Sequence, residues 1–175
     1  FKARWLAGDV AGAGTEMRAW LVAHPRDISN RMLFADLAAQ KGLLDVAIEH
    51  YQAALKIQPN NIIALNNLAL VYLRANNPNA LGFAERAHRL APGNPYVLDT
   101  YGWVLVQRKQ FKQALASLEA AVKALPDSAP IRYHYGVALA QSGKRSEGRR
   151  EIELALQKDA NFDGAAQARD FLQTL

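Results

Sequence analysis

Apolar side chains along the chain recur three, four and seven residues apart, the spacing of one face of an α-helix, in segments of about a dozen residues. One unit reads Leu98-x2-Tyr101-Gly102-x2-Leu105, then Ala114-x3-Leu118-x2-Ala121, and ends at Pro126. Its predecessor reads Leu65-x2-Leu68-Ala69-x2-Tyr72, then Ala80-x3-Ala84-x2-Ala87, and ends at Pro92. Before that come Arg31-x2-Phe34-Ala35-x2-Ala38, Ala47-x3-Tyr51-x2-Ala54 and Pro59. A fourth unit keeps Tyr135-Gly136-x2-Leu139, Ile152 and Ala155, with Gly148 for the first alanine and Ala160 for the proline. Pro25, Pro59, Pro92 and Pro126 stand 34, 33 and 34 residues apart. Helix pairs repeated at this period predict an all-α solenoid, each pair burying its apolar face against the next.

The small residues have a physical role in this pattern. Gly102, Gly136, Ala35 and Ala69 remove bulk where paired helices approach, and Ala54, Ala87, Ala121 and Ala155 do so toward the next unit. Tyr51, Leu118 and Ile152 are expected to fill the space between units. Each proline ends a second helix, because it lacks the amide donor and clashes with the preceding turn. Asn60-Asn61, Gly93-Asn94 and Asp127-Ser128 then supply caps for the following helix. Gly42 and Gly143 mark the turn within a unit. In the unit ending at Pro92 that turn reads Asn76-Asn77-Pro78-Asn79, one residue shorter, with Pro78 suited to a helix's first turn.

The positions of these large, Gly, Tyr, Ala and Pro residues resemble the tetratricopeptide repeat (TPR) pattern. The resemblance implies a right-handed superhelix in a single domain over 1–175. A partial repeat is expected at 1–27, full repeats at 28–61, 62–94, 95–128 and 129–162, and a capping helix at 163–175. Phe1 to Ala7 are too short for a whole first helix, whereas Gly8-Asp9 and Val10 to His24 read as a turn and a second helix. Upstream repeats are therefore expected to have been removed. At the other end, Asp163 is expected to cap a helix carrying Ala166, Phe171 and Leu172.

Composition narrows the classes that remain. A chain of 175 residues, 50% hydrophobic, can bury a continuous core. It contains no run of about 20 apolar residues that would cross a membrane. The absence of cysteine excludes disulfides, thiolate metal sites and cysteine nucleophiles. The chain begins at Phe1 without an initiator Met, so a processed or excised fragment is expected and no targeting signal is legible.

In such a solenoid the first helix of each unit lines the concave groove. Tyr96, Asp99, Trp103 and Gln107 share one face of their helix, and Tyr133, Val137 and Gln141 take the matching places one unit later. Asn66, Asn67 and Arg74 come from the preceding unit. Aromatic platforms beside amides and a carboxylate suit an extended peptide or a sugar chain. The other reading makes Trp103 and Tyr133 packing residues and leaves Asn66 and Asn67 solvated.

Other constellations carry less. The carboxylate clamp of some TPR cochaperones needs lysine, arginine and asparagine at fixed groove places; only Asn67 fits, while Met32, Tyr96 and Thr100 stand where the cations belong. His24, His50, His88 and His134 fall in different units without ligand spacing, so they read as surface or edge residues and no metal or cofactor is expected. Lys144, Arg145, Arg149 and Arg150, with the net charge of +5, raise nucleic acid as a ligand. Interleaved Glu147, Glu151 and Glu153 argue instead for a solvated helix face and no nucleic acid partner. No phosphate loop, nucleophile elbow or paired-acid motif is present, so an enzyme is not expected.

A narrower resemblance rests on Leu65-Asn66-Asn67-Leu68-Ala69, Ala84-Glu85-Arg86-Ala87 with Leu90-Ala91-Pro92, Leu98-Asp99-Thr100-Tyr101-Gly102-Trp103-Val104-Leu105, and the stretch from Ile131 to Ala140. These look like the C-terminal repeats of bacterial PEP-CTERM-system TPR lipoproteins, over residues 62 to 160. The resemblance implies a periplasmic scaffold, lipid-anchored through an N-terminal signal outside this chain, that holds protein partners of exopolysaccharide export or protein sorting; without it, a cytoplasmic location is the alternative. Three functions remain open: a non-catalytic scaffold for proteins or peptides, a polysaccharide-binding module, and the TPR arm of a larger enzyme.

Overall fold

The computed structural model describes residues 1–175 and is entirely helical. The helices are α1 (Lys2–Leu6), α2 (Val10–Ala23), α3 (Ile28–Gln40), α4 (Leu44–Ile57), α5 (Ile62–Arg74), α6 (Ala80–Leu90), α7 (Pro95–Gln107), α8 (Phe111–Ala124), α9 (Ala129–Gln141), α10 (Arg145–Lys158) and α11 (Ala165–Gln173). Each of α3, α5, α7 and α9 pairs with the helix that follows it. These four also touch one another in order, and so build one continuous wall.

The turn inside each pair explains the period at the level of the backbone. Gly8, Gly42, Asn76, Lys109 and Gly143 all have positive φ, and they stand 34, 34, 33 and 34 residues apart. A left-handed residue lets the chain reverse and leaves the preceding carbonyls bonded, as in the Leu43 amide donating to Ala38 O at 2.9 Å. Lys109 occupies this conformation without the help of glycine or asparagine, so residue type alone concealed that turn. Between Asn76 and Ala80 one residue is missing relative to the other pairs. Pro78 accordingly lies before α6 rather than in its first turn, and α6 spans 11 residues where α4, α8 and α10 span 14.

The junctions between pairs use three kinds of contact. Asp27, Asn61 and Asn94 cap α3, α5 and α7, each accepting from a backbone amide of the first turn, whereas Ser128 holds the cap position of α9 without a side-chain bond. Asp27 also accepts from Trp20 Nε1 and Asn30 Nδ2, both at 2.7 Å. These bonds, the Asn30 amide first, hold its carboxyl down to about 2. The carbonyls of Pro25, Pro59, Pro126 and Ala160 accept from Arg31, Arg86, Arg132 and Arg169 respectively. A guanidinium at each of these junctions satisfies a carbonyl that helix termination leaves free.

Within a pair, glycine sets the helix separation. Leu118 and Ile152 lie directly over Gly102 and Gly136 of their own pair, not between units as the sequence suggested. Gly136 and Gly148 face each other so closely that backbone meets backbone. Ala47, Ala80, Ala114, Ala54, Ala87, Ala121 and Ala155 are all buried.

The C-terminal helix differs from expectation at its start. Gly164, at φ 108°, takes the cap position of α11, and Asp163 makes no capping bond. Ala165 and Ala168 are buried together with Phe162, Ala166 is exposed, and Phe171 and Leu172 are half-buried. Arg145 and Arg149 donate to the carbonyls of Thr174 and Leu172, so the exposed basic face of α10 also fastens the end of α11.

The histidines are not uniformly peripheral. His24 is exposed and stacks on Trp20 at 3.9 Å, and half-buried His88 stacks on Tyr101 at 4.7 Å. His50 is only 5% exposed, meets the Phe34 ring edge-on and has no partner for Nδ1. Burial pushes its imidazole below the ordinary range, Arg31 adds to this, and Glu49 opposes both. The unfolded chain takes up a proton here below about pH 6.5, while the folded chain resists it. Stability is therefore expected to be full at neutral pH and to fall as pH drops below that value. Melting temperatures recorded from pH 7.5 to 5 for wild type and His50→Phe should show a smaller acid-side decline in the variant.

Candidate functional site: a concave trough

The wall of first helices faces a trough of about 920 Å³. Its lining draws on Asp36, Ala39 and Gln40 of α3, Asn67, Leu70, Val71 and Arg74 of α5, Trp103 of α7, and Tyr133 and His134 of α9. Asp163, Gly164 and Gln167 at the start of α11 close the far end. Residues from α3 and α11 share one cavity because the solenoid curves through its length and brings its two ends around a common hollow.

Helix geometry dictates which side chains reach the trough. Asp36, Leu70, Trp103 and Val137 recur at one repeat position, as do Gln40, Arg74, Gln107 and Gln141 one turn further on. Of the residues singled out by sequence, Asn67, Arg74, Trp103 and Tyr133 line the trough itself. Gln107 lines an adjoining hollow with Arg74, Trp103, Asn77 and Arg108. Asn66, Tyr96 and Asp99 line a third hollow with Ile63, Leu70 and Thr100, near the starts of α5 and α7. Gln141 is exposed at the end of α9 and lines none of these three.

Two hydrogen-bonded groups order the trough. Asp36 accepts from the Tyr51 hydroxyl at 2.5 Å and from Asn67 Nδ2 at 3.0 Å, and Asn66 Nδ2 donates to Asn67 Oδ1 at 3.3 Å. Asn66 and Asn67 are thus half-buried and engaged rather than solvated. Burial raises the Tyr51 hydroxyl well above its usual range, and the bond to Asp36 raises it further. In the second group, His134 Nδ1 lies 2.8 Å from Asp99 Oδ1, and the imidazole stacks on Trp103 at 4.2 Å. Tyr133 is 9% exposed and packs its ring on Phe162 at 5.8 Å, so it forms the trough's floor more than a free platform.

Asp36, His134 and Asp163 escaped the sequence reading for separate reasons. Asp36 stands where later units have leucine, tryptophan and valine, so its column looked apolar. His134 sits one place beyond the column that was read. Asp163 reads in sequence as a helix cap, a place that Gly164 takes instead. No group of three His, Asp or Glu side chains is placed to hold a metal ion, and no helix is long and apolar enough to cross a membrane.

Paired helices repeated along an axis, with one face gathered into a trough, define the class of helical-repeat solenoids. Family models described as TPR repeat and tetratricopeptide repeat match residues 35–76 and 105–169, together more than half of the chain. The chain belongs to the tetratricopeptide repeat family. Among solved structures it is similar to MamA, with a TM-score of 0.74 at 19% identity, covering 95% of this chain and 90% of that one. It is also similar to PilW, described as a widely conserved type IV pilus biogenesis factor, with a TM-score of 0.76 at 17% identity over 99% and 87% of the two chains. Anaphase-promoting complex subunit 3 of Schizosaccharomyces pombe is 28% identical over 126 residues, which is 71% of this chain and 18% of that protein. The chain thus spans less than a fifth of that curated relative.

Proposed function

We propose that this chain is a non-catalytic scaffold that binds an extended segment of a partner protein in the concave trough. The carrying observation is the joint presence in one cavity of amides, Asn67 among them held by hydrogen bonds, a half-buried tryptophan and carboxylates, supplied by α3, α5, α7, α9 and the start of α11. Asn67, Gln40 and Gln167 can satisfy backbone groups of an extended chain, and Trp103 can cover an apolar or cationic side chain. Asn66, Tyr96 and Asp99 extend the same surface past the exposed Ile63, and Gln107 extends it toward the intra-pair turns.

The resemblance of residues 62 to 160 to PEP-CTERM-system lipoproteins supplies the finer part of the proposal, a scaffold in exopolysaccharide export or protein sorting in a bacterial envelope. A sugar-binding module is the weaker reading, because stacking on a sugar needs free ring faces. Tyr133 is buried, and one face of Trp103 is taken by His134. In an envelope extract, wild type is expected to retain a defined protein that Trp103→Ala loses while its melting temperature stays close. Retention of polysaccharide alone would favour the sugar reading, and equal protein retention by both chains would move the site off the trough.

A further inference from the structure

We propose that the trough seats a basic side chain, an arginine or lysine of the extended partner segment, over Trp103 and between Asp36 and Asp163. This inference rests on the trough being the binding face.

The whole chain carries +5, yet the trough presents Asp36 and Asp163 against the single guanidinium of Arg74. His134, the remaining titratable group of the lining besides the tyrosines, is held by Asp99. Neither Asp36 nor Asp163 takes part in an ion pair.

Each carboxylate has unused capacity. Tyr51 and Asn67 both donate to Oδ1 of Asp36, which fixes the group on α3, while no hydrogen bond of the protein reaches its Oδ2. Asp163 accepts no hydrogen bond at all, because Gly164 has taken the cap position and released it into the trough. Two carboxylates outside any ion pair, half-buried Asp36 and exposed Asp163, on opposite ends of one cavity favour a cation between them.

Trp103 adds direction. Its indole borders both the trough and the adjoining hollow, and His134 stacks on one side of it. A guanidinium or ammonium laid on the remaining exposed indole surface gains from the ring's negative face, and arginine does so most readily. Arg74 lies at the rim shared by the two cavities, with its Nη1 donating to Ala39 O at 2.9 Å. It repels a cation at the rim and favours one deeper in, near the carboxylates. An uncharged or acidic residue of the partner would then follow beside Arg74.

The test uses three dye-labelled nine-residue peptides, identical except for a central Arg, Gln or Glu, read by fluorescence anisotropy. The Arg peptide is expected to bind about five- to ten-fold more tightly than the Gln peptide, with the Glu peptide weakest and the difference shrinking in high salt. Asp163→Asn, which breaks no bond of the folded chain, should cost the Arg peptide about three-fold and leave the Gln peptide unchanged. Asp36→Asn should act in the same direction, and Arg74→Gln should strengthen the Arg peptide. Equal binding of all three peptides, lost in Trp103→Ala, would overturn the basic anchor and leave the trough as the binding face. Tightest binding of the Glu peptide, or no binding of the Arg peptide at millimolar concentration, would also overturn it. The binding face itself fails separately, if partner capture is indifferent to Trp103→Ala.

Discussion

Gly148→Ala is expected to lower stability by about 3 kcal/mol, a large effect for one methyl group. A Cβ at this position would stand 2.6 Å from the carbonyl oxygen of Gly136 and 2.7 Å from both the nitrogen and the Cβ of Ala140. Two of these three atoms are backbone, so relief requires α9 and α10 to separate along their length. The seam they share also holds Ile152, fully buried over Gly136, and the Arg132–Glu151 ion pair at 2.5 Å. Alanine is the better helix former by up to about 1 kcal/mol, so any loss seen here is the collision after that gain has been subtracted. Gly82→Ala is the matching control. It lies on the exposed side of α6 with nothing within 4 Å of a new Cβ, and should gain about 0.5–1 kcal/mol. Thermal melts should therefore separate the two variants by roughly 8 °C or more, in opposite directions from wild type. Equal melting temperatures would mean that the pair is not packed backbone to backbone.

Gly102 and Leu118 are expected to behave differently, because there the collision is with a side chain. A Cβ on Gly102 would meet Leu118 Cγ at 2.6 Å and Cδ2 at 3.1 Å, while the nearest backbone atom, Ala114 O, is 3.3 Å away. Gly102→Ala alone should cost about 1–3 kcal/mol through overpacking. Leu118→Ala alone should cost about 2–5 kcal/mol, since Leu118 is fully buried and its loss leaves a cavity. In the double variant the new methyl occupies part of that cavity. The pair should therefore be less destabilised than the two single effects added, by about 1–3 kcal/mol. Additive losses would place Leu118 elsewhere than over Gly102. The same cycle built on Gly148 and Ile152 should show little rescue, because Ile152 does not cause the Gly148 collision.

The residues that carry these two predictions also show what was legible in the sequence. Gly102 and Gly136 are legible as close-approach positions from their place in the repeat, since packing between paired helices depends on residues a fixed distance apart along one chain, whereas Gly148 reads only as a replacement for the alanine that opens the second helix's pattern. The division of labour between Leu118 and its neighbours was not legible, because periodicity says that a side chain is buried without saying against what. Lys109 concealed a left-handed turn, for backbone conformation there follows from the chain reversal and not from residue type. The groove was legible as a set of helix faces, and Asn67, Arg74, Trp103 and Tyr133 do meet in one cavity. Asp36, His134 and Asp163 were missed, since what brings them together is the curvature of the whole solenoid and a start of α11 at Ala165 that leaves Asp163 outside the cap. No local pattern encodes a contact between residue 36 and residue 163.

The same distinction explains the histidines. His50 lies within a second helix and His24 just past the end of one, yet His50 is buried against Phe34 and His24 stacks on Trp20 at the surface. Their difference lies in whether another helix covers that face. Groove chemistry is governed by the same kind of coverage, which leaves Trp103 half-open and Tyr133 closed.

The most direct test of the trough as the binding face is site-specific photo-crosslinking in cells producing the full-length protein. A photoreactive amino acid would be placed in turn at Gln40 and Gln167, on opposite walls of the trough, and at Lys112 and Arg150, exposed positions outside it. Adducts to one and the same partner from Gln40 and Gln167, weak or missing from Lys112 and Arg150 and suppressed by Trp103→Ala, are the expected result. Adducts of equal strength from Lys112 and Arg150, or from these two positions alone, would contradict it.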